Sequence, residues 1–277
     1  ANDLGAALAG HRDVAKVSFT GSTATGRKVF ARAAESMKRL TLELGGNDAA
    51  IVLDDVDVKS VAPALFGAAF ANSGQVCIAI KRLYVQDGIY DALCDELAAL
   101  AEAAVVGDGL EQGTQFGPVQ NRAQFDKVRA LIVESGLQGT IISGGASVEG
   151  EGYFIRPTIV RDIADGARLV DEEQFGPVLP VIRFSDVDEA VRRANTSPFG
   201  LGASIWSSDI ARAEGIAERI DAGTVWVNKH LELTPDVPFG GARQSGIGTE
   251  MGIEGLKEFT QRRIVNSSKR EMPARQA

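Results

Sequence analysis

Cysteine is nearly absent from this sequence: the 277 residues hold two, Cys77 and Cys94. Two thiols cannot build a disulfide framework, and so small a supply suits a reducing cytosol, which predicts a cytoplasmic protein. Histidine is as scarce, with His11 and His230 alone. Without clustered Cys or His there is no zinc-ribbon or metalloprotease spacing, and no metal is expected. No apolar run nears the length of a membrane-spanning helix, so no membrane partner is expected. The start, Ala1 to Gly5, lacks the basic segment and apolar run of a signal peptide. Positive charge is outnumbered: 29 Lys and Arg against 37 Asp and Glu leave −8, which argues against a nucleic-acid surface. A starting Met is also lacking, and the opening (Leu4, Ala6, Ala7, Leu8) has mid-helix composition. It reads as a piece that begins inside a domain; a processed start would look similar.

What is there is an ordinary globular composition, 44% hydrophobic and 24% charged, long enough for one large domain or two. Strands and helices alternate. β-Branched and apolar runs predict strands at 14–20, 40–44, 50–53, 83–85, 140–142, 157–160, 178–184, 201–206 and 224–227. Helical periodicity fills 23–37, 58–71, 89–104, 122–137, 187–194 and 209–220. This order predicts an α/β fold with a largely parallel sheet. The run Phe259 to Val265 reads as a last strand outside that rhythm. Residues 115–119 (QFGPV) recur at 174–178, which reads as two coincident turn sequences.

Four places can carry chemistry. Cys77 follows a break at Asn72-Ser73-Gly74. A thiol so placed can face a cleft with free backbone N–H groups, which lower a thiol pKa and stabilise an oxyanion. A free Cys is more usually a small buried hydrophobe, and local context leaves these readings level. Cys94, at helical spacing with Tyr90, Leu97 and Ala101, reads as core. Glu43 stands at a strand end before Gly45-Gly46; desolvation there would raise its pKa to suit a general base. An outward polar residue on an alternating strand is the commoner explanation. Residues 19–26 place Gly21 and Ser22 at a strand-to-helix junction, where a phosphate can meet backbone N–H groups. An N-cap turn explains them nearly as well. Glu173 and Phe175 offer a carboxylate and an aromatic before Gly176-Pro177; a solvated acidic turn is the plainer reading.

The ordered set is more specific than its parts. Residues 19–26, 41–47, 72–77 and 172–178, then 199–201, 223–228, 238–241, 245–246 and 252–256, together resemble the motif series of the aldehyde dehydrogenase superfamily. The resemblance spans nearly the whole chain. It implies the end of a Rossmann-like cofactor domain in 1–45, a catalytic domain in 46–240, and a return to the cofactor domain with an oligomerisation segment in 241–277. It implies Cys77 as nucleophile, with its own N–H as half of an oxyanion hole. Glu43 becomes the base. Gly21, Ser22, Leu44, Glu173 and Phe175 become contacts to NAD or NADP. The partners implied are a small-molecule aldehyde and further copies in a homodimer or homotetramer.

Family chains are nearly twice this long. The resemblance therefore places the Asn that completes the oxyanion hole, and the Lys and acid that meet the adenosine ribose, outside these residues. A chain made alone is expected to be unstable or inactive. Coenzyme A-acylating relatives commonly lack a base like Glu43, so water is the expected acceptor. Around His230, residues 229–234 stand where the family shapes its aldehyde pocket, and a surface or rim role is expected for that histidine.

Overall fold

The computed structural model describes residues 3–148, 152–270 and 272. Its centre is a seven-stranded sheet, in the order Thr224–Val227, Gly202–Trp206, Asp48–Val52, Ile80–Gln86, Val178–Phe184, Thr158–Arg161 and Thr140–Ser143. All neighbours run parallel except the last pair. Such a sheet buries both faces, which explains strands that are apolar throughout. Ile51 packs with Tyr84, Val128, Ile182 and Ile205 on one face. Ala50 and Val52 pack with Leu65, Leu83, Val85 and Leu97 on the other. The period-two alternation of side chains divides one run between two cores. Cys94 lies fully buried in the second, as its helical spacing predicts.

A second sheet of three strands is ordered Lys16–Thr20, Arg39–Glu43, Gly246–Ile247. The first pair is parallel and the second antiparallel. The last strand returns from far along the chain to pair Gly246 with Glu43. Lys16–Thr20 is left as an edge. Near it Leu4, Leu8 and Phe30 are 76%, 60% and 47% exposed.

Most expected elements are present with shifted ends. The strand expected at Phe259 to Val265 is not: the helix Gly252–Lys257 is followed by irregular chain. A strand exists only where another offers a ladder of hydrogen bonds, and no described segment pairs with this one. Phe259, Ile264 and Val265 stay exposed. The two copies of QFGPV are not independent turns in space. Ser73 Oγ donates to Gly117 O at 2.9 Å, and a Cβ on Gly74 would stand 2.3 Å from Gly176 O. Both copies thus abut one turn, in which Asn72, Ser73 and Gly74 have φ of 49°, 56° and 72°.

That turn sets where Cys77 emerges, and Gly74 has no room for a side chain. Gly74→Ala is expected to cost about 2–4 kcal/mol, from left-handed backbone and overpacking together. Urea unfolding of the variant checks it; a midpoint equal to the parent's would refute the close approach.

Candidate active site

The chain passes between the two sheets at Gly45-Gly46. Glu43 ends its strand in the small sheet, and Asp48 begins a strand of the large one. Cys77 precedes Ile80–Gln86, Glu173 and Phe175 precede Val178–Phe184, and Leu201 precedes Gly202–Trp206. The candidate site therefore lies at the amino ends of four parallel strands, where the carboxyl end of Arg39–Glu43 meets them. Close backbone passage makes this possible. A Cβ on Gly46 would lie 2.5 Å from Cys77 O, and one on Gly45 would lie 2.4 Å from Glu173 Oε2. Gln174 completes the junction: its buried Nε2 donates to Lys81 O and Val178 O, each at 3.0 Å.

Glu43 is 2% exposed and no side chain meets its oxygens; the nearby Gly241 N–H favours the charged form only weakly. Burial foremost, then repulsion from Glu250, pushes its pKa up to about 7. This is the desolvated carboxylate that the sequence allows, and the outward-facing alternative does not occur. Glu250 was not picked out from the sequence. It stands in the Gly-rich 246–252, where a lone carboxylate among glycines was the available signal.

Cys77 is half-buried and free. It packs with Val76 and Leu231 against a small apolar cluster of Ile78, Leu201, Trp226 and Phe239. The expected depression of its pKa does not occur. Burial raises the thiol, and this outweighs the lowering by Lys81 and by the Ile78 N–H; Asp48 and Glu43 raise it further. A single well-placed N–H is too little to offset desolvation in an apolar pocket.

Three buried groups beneath Cys77 escaped sequence reasoning in part or whole. Asp48 is 2% exposed, and burial lifts its pKa to about 7 although Lys81, the Gly202 N–H and Arg82 oppose it. Lys81 is 1% exposed. The side chain of His230 is fully buried, against the expected surface or rim position. Its ring packs against Trp226, centroids 4.7 Å apart and planes tilted by 52°, and Nε2 meets Ile78 O at 2.7 Å. A carbonyl only accepts, so Nε2 carries the proton. Burial lowers the imidazole to about 3, which keeps it neutral.

The expected cofactor contacts separate into two groups. Glu173 Oε1 accepts the Gly46 N–H at 3.0 Å, while Oε2 has no partner among the described residues. A carboxylate with one oxygen anchored and one open fits a sugar hydroxyl. Phe175 follows, half-buried, with φ of 47°. Leu44 borders a cavity of about 290 Å³ shared with Thr23, Gly26, Gln244 and Gly246. Gly21 and Ser22 do not line that cavity, although the adjoining Thr23 does. The Gly21 N–H donates to Glu43 O at 3.0 Å, and Ser22 Oγ caps the helix Thr23–Ala34 by accepting the Thr25 N–H at 3.2 Å. Among the described residues no cluster of His, Cys, Asp or Glu could hold a metal, and no helix is long and apolar enough to cross a membrane.

Comparison with known proteins gives a family. A profile described as the aldehyde dehydrogenase family matches residues 1–265. An aldehyde dehydrogenase of a Fusarium species is 43% identical over 267 residues, which are 95% of this chain and 57% of that protein. A betaine aldehyde dehydrogenase of Rhizobium leguminosarum is 42% identical, covering 95% and 55%. Among solved structures, lactaldehyde dehydrogenase from Escherichia coli superimposes with a TM-score of 0.91 at 36% identity, over 95% of this chain and 55% of that one. Betaine aldehyde dehydrogenase from Staphylococcus aureus, solved with NAD+, gives 0.88 at 35% identity, over 92% and 52%. The chain spans about half the length of the relatives it matches.

Asp48 ties this site to stability. Its folded pKa lies above its ordinary 3.8. Below pH 4 both folded and unfolded chains are protonated. As pH rises from about 4 to about 7 the unfolded chain ionises first, so stability is lost across that window, on the order of 2–4 kcal/mol. Asp48→Asn should shrink the difference in unfolding free energy between pH 5 and pH 8, leaving the part due to Glu43. A variant that loses as much stability as the parent would disprove the shift.

Proposed function

The chain belongs to the aldehyde dehydrogenase family, and from this we propose that it carries the reacting half of an enzyme that oxidises an aldehyde to a carboxylic acid. The observation that carries the reading is the buried Glu43 carboxylate, set near neutrality within electrostatic reach of Cys77. Cys77 Sγ adds to the aldehyde carbon and forms a thiohemiacetal. NAD+ or NADP+, when bound, supplies the hydride acceptor that turns this adduct into a thioester. Glu43 then takes a proton from the water that attacks the thioester. The Cys77 N–H donates to the oxyanion formed at each addition. The walls of Trp226, Phe239, Leu201 and Ile78 shed water from the reacting carbon. Glu173 Oε2 would hold a ribose hydroxyl, with Phe175 on the same ribose side, Leu44 near the nicotinamide and Gly21 and Ser22 toward the phosphates. Transfer of the acyl group to coenzyme A is the alternative, disfavoured because a base is present for water.

We further propose that residues 1–45 and 241–277 serve the cofactor side and 46–240 the chemistry. Two free thiols support a cytoplasmic setting, and the exposed Phe259, Ile264 and Val265 support association into a homodimer or homotetramer. The open edge strand Lys16–Thr20 and the exposed Leu4, Leu8 and Phe30 support a need for covering surface. Residues 1–277 made alone are therefore expected to be inactive; NAD-dependent aldehyde oxidation by that product would refute this.

In the whole protein that carries this chain, Cys77→Ala should abolish oxidation and leave NAD binding intact. Glu43 must be ionised to accept a proton, so thioester hydrolysis should rise with pH through about 7. Glu43→Gln should remove that rise, slow hydrolysis roughly 10²-fold or more, and leave a stoichiometric burst of NADH. Stopped-flow absorbance reads both phases. Turnover at the parent rate would eliminate Glu43 as base, and an acid yield that depends on added coenzyme A would select the acylating alternative.

A further inference from the structure

The carbonyl groups of four consecutive residues around the sulfur are all taken by two buried side chains. Lys81 Nζ donates to Val76 O at 2.8 Å, Cys77 O at 2.7 Å and Ala79 O at 3.3 Å. His230 Nε2 donates to Ile78 O at 2.7 Å. Both side chains are out of solvent, so water does not compete for these bonds.

In a trans peptide the C=O and the N–H of one unit point to opposite sides, and no cis peptide occurs among the described residues. Holding Val76 O on Lys81 therefore turns the Cys77 N–H away from Lys81. Holding Cys77 O does the same for the Ile78 N–H, and that N–H meets the Cys77 sulfur. The Ala79 N–H shares Val76 O at 3.1 Å, so the ammonium reinforces the first peptide unit and holds the second. A compact head with three donors on a flexible stem can converge on three carbonyls.

We propose that Lys81 is a positioning residue for the reaction: its buried ammonium, bound to the carbonyls of Val76, Cys77 and Ala79, keeps the Cys77 and Ile78 N–H groups on the sulfur side of the loop. There one meets the oxyanion and the other the thiolate. The inference rests on the reading of Cys77 as nucleophile. The charge of Lys81 acts in the same sense, favouring the thiolate against the carboxylates of Asp48 and Glu43 that also face it. His230, which holds the remaining carbonyl, is neutral.

The test uses the whole protein that carries this chain, and Lys81→Met, which keeps the stem and removes all three donors. The rate of iodoacetamide alkylation is followed against pH by peptide mass at Cys77, so that Cys94 does not contribute. The midpoint should move up by about one pH unit. With an aldehyde, kcat should fall roughly 10²-fold while KM changes little. A variant with the parent's circular dichroism, alkylation midpoint and kcat would overturn the proposal. Should Lys81→Met fail to fold, Lys81→Arg serves: it retains the charge, but its planar fork cannot converge on three carbonyls. It should lower kcat with a smaller shift of the midpoint, and parent values for both would overturn the proposal equally. Alkylation needs no turnover, which separates the two readings. A shifted midpoint in a protein that oxidises no aldehyde keeps the clamp and removes the dehydrogenase. An unshifted midpoint in one that does removes the clamp alone.

Discussion

Everything at this site depends on keeping the Glu43 carboxylate dry, with the Gly241 N–H too weak a donor to offset its burial. Such burial is unfavourable, and the group answers by holding its proton to about pH 7. The surrounding backbone enforces it. Lys16–Thr20 and Gly246–Ile247 pair with the strand from both sides, the Gly21 N–H takes the Glu43 carbonyl, and the Leu44 N–H is held by Ser245 O at 2.9 Å. That frame fixes the backbone from which the side chain departs. Two cores on the large sheet supply the apolar burial that offsets the cost.

The same frame explains why the side chains of the site come from distant parts of the chain. Gly45-Gly46 carries the chain from the carboxyl end of one sheet to the amino ends of another. The absence of side chains there lets Cys77 O and the Glu173 carboxylate come close. The two QFGPV segments press on the turn before Cys77 from separate directions. That turn holds three successive residues in the left-handed region, a conformation that persists only where the surroundings over-determine it.

Much of this was legible in the residues, and the exceptions share a cause. Alternating apolar runs gave the strands of the large sheet, and helical spacing alone put Cys94 in the core. Those are local properties. The run Phe259 to Val265 has strand composition too, but pairing is a relation between segments, and its own letters cannot say whether an edge is open. Nothing in the neighbouring residues marks Asp48 or Lys81 for burial. Their burial follows from where the loop before Ile80–Gln86 folds back, which no short window contains. His230 went astray for the same reason: its partner, Ile78 O, is 152 residues away.

The electrostatics then narrow what Glu43 can do for Cys77. Burial moves both groups up, the thiol above its ordinary 9.0 and the carboxyl to about 7. Passing a proton from thiol to carboxylate is therefore uphill, and Cys77 rests as the thiol. Under the proposed reaction Glu43 does not store a thiolate. The thiolate has to be drawn out as the carbon–sulfur bond forms, when the charge leaves sulfur for the oxyanion. Donors aimed at that oxyanion then matter more than a low thiol pKa. This shifts weight from the base to the peptide units of Val76, Cys77 and Ile78, whose carbonyls Lys81 and His230 hold from below. It leaves Glu43 suited to the later step, where a carboxylate near neutrality takes a proton from water and the same N–H receives the second oxyanion.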